Sequence, residues 1–455
     1  MTYDTLEREN KHFYGRLARV ALPIAIQSLI GSSLNLVDSL MVGSLGESQL
    51  AAVGVSVQIY FIFWMIVYGF SSGCSTFMAQ FWGAKNTKQI RKTIGFTLTV
   101  CMAIGILFFL GATFFPEKIL RIFTNIPETI ALGTQYVRAG GLCFLFIAII
   151  LPFECALRAT QQTHIPLFSS IAAFITNTIL NYLLIFGSFG APELGIKGAA
   201  IATVLSRFLQ VLITIYIVFI RKNILCGRLH DYFGWPKAFV LRVVKNSIPT
   251  TINETMWGLG TAFYVAIFAR VGITECAAVQ AANTIQNILQ MAAFSMGDAV
   301  LIMVGQKIGE GKMEEAYVLA KRLLKVGTII GVIFGLTLIG ISKPIISLFN
   351  FTPEGAYYTF MILCVYGLFM GLVLYNGINI VGVLRCGGDT RYAMFTEVGT
   401  VWIIGVPLAF FTALVLHWPI YIAVLVVKSE EIIKCIILTK RFVSKKWIKS
   451  LVRHS

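Results

Sequence analysis

Charge is what this chain of 455 residues has least of. Asp, Glu, Lys and Arg make up 13% of it while 57% is hydrophobic, whereas about a quarter of a soluble domain is charged. A soluble globular fold is excluded and a polytopic membrane protein implied. Histidine is also scarce: His12, His164, His230, His417 and His454 are scattered through termini and connections, without the clustering that a metal centre or catalytic base needs. The nine cysteines include no CxxC pair, and most lie in apolar runs, where free Cys acts as a small hydrophobe. Walker and HExxH motifs are missing, so neither a nucleotide-driven pump nor an enzyme is expected, and no cofactor. The polar N-terminus lacks the short apolar core of a signal peptide, which leaves insertion to the transmembrane helices themselves.

Apolar runs long enough for a hydrocarbon core of about 30 Å lie near 15–41, 49–78, 93–115, 129–157, 165–189 and 195–220. Six more lie near 240–269, 275–305, 318–342, 355–384, 392–416 and 418–439. Twelve spans put both termini on one side. The termini and even-numbered connections hold 28 Lys and Arg against 6 near the opposite face, which makes both termini cytoplasmic by the positive-inside rule. The net charge of +16 thus reads as topology and anionic lipid surface, not as a nucleic-acid partner.

The chain repeats itself. Pro23 and Pro249, Ala51-Ala52-Val53 and Ala277-Ala278-Val279, Gln80 and Gln306, and Gly83 and Gly309 are each 226 residues apart; Leu157-Arg158 with Leu384-Arg385 and Thr163 with Thr390 are 227 apart. One single-residue indel accounts for the change. The expected fold is an all-α membrane protein of twelve transmembrane helices in two six-helix bundles, related by a parallel repeat whose pseudo-two-fold axis runs along the membrane normal. The expected organisation is an N-terminal lobe (1–220), a basic interfacial linker (221–240) with Phe233 and Trp235 at headgroup level on a helix, and a C-terminal lobe (241–455).

A charged side chain at membrane depth costs about 2.5–3.5 kcal/mol on insertion scales, so it normally faces a protein interior or a wet cavity. Asp38 is such a residue, in the apolar stretch LNLVDSLMVG. At a rise of 1.5 Å per residue, Asn177 and Asn181, spaced i, i+4 on one helix face, and Thr203 fall in the same outer half of the first lobe. These four form the candidate cation or proton site, with Na+ at Asp38 as one option. In the second lobe Glu254, in NSIPTTINETMWGLG, lies near mid-depth with Asn253 and Trp257. The repeat counterpart of Asp38 is Tyr264 and that of Glu254 is Ser28, so the shared architecture requires an acid at neither place. Glu154 reads as an i, i+4 ion pair with Arg158. Asp298 and Glu397 read as acids near the cytoplasmic boundary, and Glu430, Glu431, Lys428 and Lys434 as a set pairing among themselves.

Several stretches together resemble the multidrug and toxic compound extrusion (MATE) family: VDSLMVGSLGESQLAAVGV, AQFWGAKNTKQIRKTIG, ALRATQQTHIP, GIKGAAIATVLSR, VGQKIGEG and VLRCGGDTRYAMF. The resemblance covers nearly the whole chain. It implies a V-shaped pair of six-helix bundles in the cytoplasmic (inner) membrane. Such a protein exports organic, mostly cationic, small molecules in exchange for H+ or Na+, and is expected here as a monomer. It also implies that Asp38, with Asn177, Asn181 and Thr203, binds the coupling ion, and that Glu254 serves the second lobe. The acid that some members carry on helix 10 is replaced by Leu374, beside Tyr375 and Asn376, which complete the second-lobe set. A lipid-linked oligosaccharide or lipid flippase of the same superfamily is the alternative; it would favour cationic side chains to meet pyrophosphate, whereas the mid-depth charges here are carboxylates.

Overall fold

The protein is described from a computed structural model at residues 3–347 and 351–452, with side chains from residue 13 onward except at 288, 292 and 293. Among the described residues all regular structure is helical. The order is α1 (Tyr3–Gly43), α2 (Glu47–Gly83), α3 (Thr87–Phe114), α4 (Pro127–Gly140 and Leu142–Ala159), α5 (His164–Phe186) and α6 (Ile196–Ile215). Then come α7 (Lys237–Phe268), α8 (Ile273–Gly309), α9 (Met313–Ile346), α10 (Pro353–Gly377), α11 (Thr390–Gly399, continued through Val406–Phe410) and α12 (Ile420–Lys428 and Glu430–Val443). Segments of ten of these helices are long and apolar enough to cross a membrane. The other two, α7 and α12, were also expected as spans, but α7 carries the polar run NSIPTTINET and α12 is interrupted at Ser429.

Local chemistry explains where the helices start and bend. Asn86 caps α3 by accepting from the Gln89 amide, and Thr352 caps α10 from Gly355 with Pro353 in the first turn, each satisfying an otherwise orphan donor. Hydroxyls inside apolar helices turn back on the preceding turn, as Ser56 does to the Ala52 carbonyl at 2.7 Å and Thr97 to Thr93 at 2.7 Å, so they expose no polar group to lipid. In α11, Pro407 lacks an N–H, and wide π-helical turns (Thr400–Gly405 and Phe411–Val415) flank its position, the local adjustment that re-satisfies freed backbone groups.

The chain divides into two compact units, one of residues 26–78 and 86–247 and one of residues up to 25, 79–85 and from 248 onward. The first has a core built on Val42, Ala52, Val53, Ile185, Ile196 and Ala199. The second, C-terminal unit has a larger one including Ala278, Leu338, Leu363, Met370, Ala413 and Ala423. Within it α9 and α10 cross on two Gly-x-x-x-Gly faces. A Cβ on Gly331 would meet the Gly371 Cα at 3.0 Å, and one on Gly335 would overlap the Gly367 carbonyl; only glycine lets the backbones approach this closely.

The linker departs from expectation. Residues 221–236 are irregular apart from one 3-10 turn at Leu229–Tyr232. Instead of standing on an interfacial helix, Trp235 donates its indole N–H to the Lys92 and Tyr232 carbonyls (3.0 and 2.9 Å) and meets Phe96 edge-on. Burial pushes the Tyr232 phenol up to about 12, and the protonated hydroxyl donates to the Leu225 carbonyl at 2.6 Å. Internal hydrogen bonds thus hold the segment without helix. The C-terminal tail is also built in: Trp447 is fully buried, and the buried Gln80 side chain donates to the Cys386 carbonyl (2.7 Å) and the Lys449 carbonyl (3.2 Å) and accepts from the Leu451 amide (2.8 Å).

Candidate functional site

The four residues proposed for the first lobe meet in a chain. The Asn181 side-chain amide donates to Asp38 Oδ1 and to Asn177 Oδ1 (3.0 Å), the Asn177 amide donates to Thr203 Oγ1 (3.3 Å), and Thr203 donates to the Ala199 carbonyl (3.0 Å). Both asparagines are fully buried. Because an ionised carboxylate only accepts, Asn181 must present Nδ2 to Asp38. Its Oδ1, left facing the other way, has no donor among the described residues. The chain presents one carboxylate and one buried amide oxygen without a donor, oxygen groups of the kind that take a proton or a hard monovalent cation.

Eleven residues before Asp38 on α1 is Gln27, about 16 Å along the helix, at the centre of a second buried cluster. Its amide donates to Glu154 Oε1 (2.9 Å) and Ser170 Oγ (3.1 Å), while Arg158 donates to its Oε1 (2.7 Å). Gln210 also donates to Glu154, at 3.1 Å. The i, i+4 pairing of Glu154 with Arg158 is present at 3.8 Å, but the glutamate lies in a network of five residues and is only 6% exposed. Sequence had reduced it to an isolated helical pair.

The C-terminal unit repeats this framework with different charges. Glu254 is ion-paired with Arg385, whose side chain is 1% exposed. Asn253 donates to Glu397 Oε2 at 2.7 Å. Asn376 donates to Glu431 Oε2 at 2.7 Å, and Lys434 pairs with Glu431 at 3.1 Å. Tyr375 and Trp257 take other partners: the Tyr375 hydroxyl meets Thr439 Oγ1 at 2.8 Å, and Trp257 packs edge-on against Phe294. At the repeat position of Asp38, Tyr264 donates its hydroxyl to Glu430 Oε2 at 2.9 Å.

Two residues take partners that their own helices did not indicate. Glu397, read as an acid near the cytoplasmic boundary, forms no ion pair among the described residues and accepts from Asn253. Counting from the nearest basic residue cannot say which helix a side chain faces, whereas the repeat register could have: Gln27 and Ser170 meet in one unit, and their counterparts Asn253 and Glu397 meet in the other. Glu430 pairs with a tyrosine instead of joining the lysines on its own helix. The pentapeptide GFSSG at 69–73 has the spacing of a hydrolase nucleophile motif, but it runs inside α2 with Ser71 fully buried, away from the strand-to-helix turn that exposes such a serine.

Buried carboxylates set among amides on membrane-spanning helices are where transporters place their ion and substrate sites. The MatE family pattern matches residues 23–183 and 249–411, two stretches that begin at the repeat-related Pro23 and Pro249, and the chain belongs to that family of membrane transporters. It is similar to the probable multidrug resistance protein YoeA of Bacillus subtilis (26% identical, covering 89% of this chain and 88% of that protein). It is also similar to the probable multidrug resistance protein NorM of Thermotoga maritima (24%, 87% and 84%). Solved structures of a MATE protein in the straight conformation (TM-score 0.86, 16% identical) and of an outward-facing multidrug resistance MATE transporter (TM-score 0.85, 17% identical) each align over 95% of this chain and 96% of theirs. The fold is therefore the twelve-helix, two-bundle MATE fold, and its substrates are small molecules handled within the membrane.

Proposed function

We propose that this protein exports amphipathic organic cations across the cytoplasmic membrane in exchange for H+ or Na+, as a monomer with both termini in the cytoplasm. Lobes 1–220 and 241–455, joined by 221–240, share the work. The observation that carries the reading is the hydrogen-bonded chain Asp38–Asn181–Asn177–Thr203 with its unused amide oxygen. A proton or Na+ taken up there neutralises Asp38, and the cost of keeping the carboxylate from water then differs between two arrangements of α1. A ligand shifts such an equilibrium only by its differential affinity for the two states, so exchange follows when ion and substrate favour opposite ones. In the second lobe, Glu254, Asn253, Trp257, Tyr375 and Asn376 are proposed to line the substrate side. A cleft of about 900 Å³ lined by Phe263, Ile267, Ile403, Pro407 and Phe410 supports an apolar moiety on the substrate.

The test is efflux of a cationic dye from proteoliposomes under separately imposed H+ and Na+ gradients. Efflux driven by one of them without ATP is expected. Transport that needs ATP and ignores both gradients would overturn the reading.

A further inference from the structure

In the first unit, the amide of Gln27 is satisfied at both ends. Its nitrogen donates to Glu154 and Ser170, and its oxygen accepts from Arg158 at 2.7 Å. The acid Glu154 faces two bases, Arg158 at 3.8 Å and Arg207, which reaches it through Gln210.

The repeat-related residues of the C-terminal unit are Asn253 for Gln27, Glu397 for Ser170, and Arg385 for Arg158. Here a second acid changes the outcome. Glu254, where the first lobe has Ser28, takes the Arg385 guanidinium, and Lys434 is bonded to Glu431. Glu397 is left with an amide donor and no ion pair among the described residues. The Asn253 side-chain nitrogen lies on Glu397 Oε2, and its Oδ1 has no donor although Asn253 is only 2% exposed. A buried acceptor without a donor is costly. Beside a carboxylate that lacks a counter-charge, it defines a place for one N–H-bearing positive charge.

We infer that Glu397 and Asn253 form a binding site for a protonated amine, the carboxylate taking the charge and Asn253 Oδ1 accepting an N–H bond. In the unloaded protein the exchanged proton sits on the other carboxyl oxygen, Oε1, while Oε2 accepts from Asn253. Loading balances as an exchange: the amine arrives as ammonium, and the proton leaves the Glu397 carboxyl oxygen for water. The charged groups around Glu397 are Lys434 on α12, Glu254 on α7 and Arg385 between α10 and α11; each of the latter two already has an opposite charge, and Lys434 is engaged by Glu431. Glu254 is then the partner that holds Arg385, and the substrate's nitrogen meets Glu397 instead. This rests on the export reading for the nature of the substrate, yet its test does not require transport.

The experiment measures binding of a fluorescent secondary-amine cation to the purified full-length protein in weakly buffered detergent, together with protons released into solution. About one proton released per amine bound is expected from the wild type. Glu397→Gln should bind about tenfold more weakly, in keeping with loss of a charged hydrogen bond, and release none. Glu397→Ser, which installs the residue found at the repeat position, serves the same purpose should the glutamine variant fold poorly. A quaternary analogue with no N–H should bind the wild type more weakly than the amine, and that difference should vanish in Asn253→Ala. Amine binding and proton release unchanged in both Glu397 variants would overturn the inference, as would a wild type that binds no amine. Intact amine–proton exchange without gradient-driven efflux in liposomes would leave this site standing and remove the export reading.

Discussion

Asp38 and Glu254 are both acids in apolar helices, yet they should respond to neutralisation in opposite ways. Asp38 receives an amide, and Asp38→Asn keeps an oxygen for the Asn181 Nδ2. Thermal stability in detergent is therefore expected to stay at or above the wild-type level while gradient-driven efflux is lost; normal gradient-dependent efflux by the variant would sink the coupling role. Glu254 faces a buried guanidinium. Removing one partner of a buried pair leaves an uncompensated charge and costs about 3–5 kcal/mol, so Glu254→Gln should lower the unfolding temperature sharply, and the double replacement Glu254→Met with Arg385→Met should recover part of the loss. If the single and double variants melt together, the pair is not a structural unit. At this scale Asp38, Asn177, Asn181 and Thr203 could be read from the sequence because one carboxylate in an apolar run and an i, i+4 amide pair are local signals. The roles of Glu397 and Glu430 could not, since each depends on which distant helix its side chain meets.

Among the elements, the crossing of α9 and α10 is the most sensitive to a single methyl group. Gly335→Ala sets a Cβ against the Gly367 carbonyl, and the overpacking should cost about 1–3 kcal/mol, seen as earlier thermal unfolding; Gly340→Ala on the same helix, where a Cβ meets nothing within 4 Å, is the control and should be neutral. Equal melting of the two variants would contradict the tight crossing. The twelve helices themselves were legible because a membrane forces every backbone group to be satisfied within its own segment, which makes apolar length a sufficient signal. Segments held by side-chain bonds to neighbours escaped it. The 221–236 linker looked amphipathic and basic enough for an interfacial helix, but bonds from Tyr232 and Trp235 to carbonyls hold it in place without one.

At the scale of the whole chain, the short stretch 79–85 at the end of α2 belongs to the same compact unit as the C-terminal half, and the tail seals it there. Gly83 and Gly309, a repeat pair, abut the backbones of Gln306 and Gln80 respectively. Beyond them Asp389 holds Arg441 at 2.6 Å and Lys449 at 3.1 Å, and Trp447 fills the space under Gly387. Trp447→Ala should cost about 3–5 kcal/mol, as large-to-small changes in packed cores do, and a thermal shift in detergent will measure it; an unchanged melting temperature would show that the tail merely rests on the surface. The timing of synthesis gives this seal a further meaning. Domains fold from the N-terminus as they emerge, and Gln80 is in place long before Leu451 has been made. Its side-chain oxygen accepts from an amide 371 residues further along the chain. Removing residues from Leu451 onward would leave the buried Gln80 oxygen without the amide that it accepts from, so this stretch is a structural part of the unit and not an appendage to it.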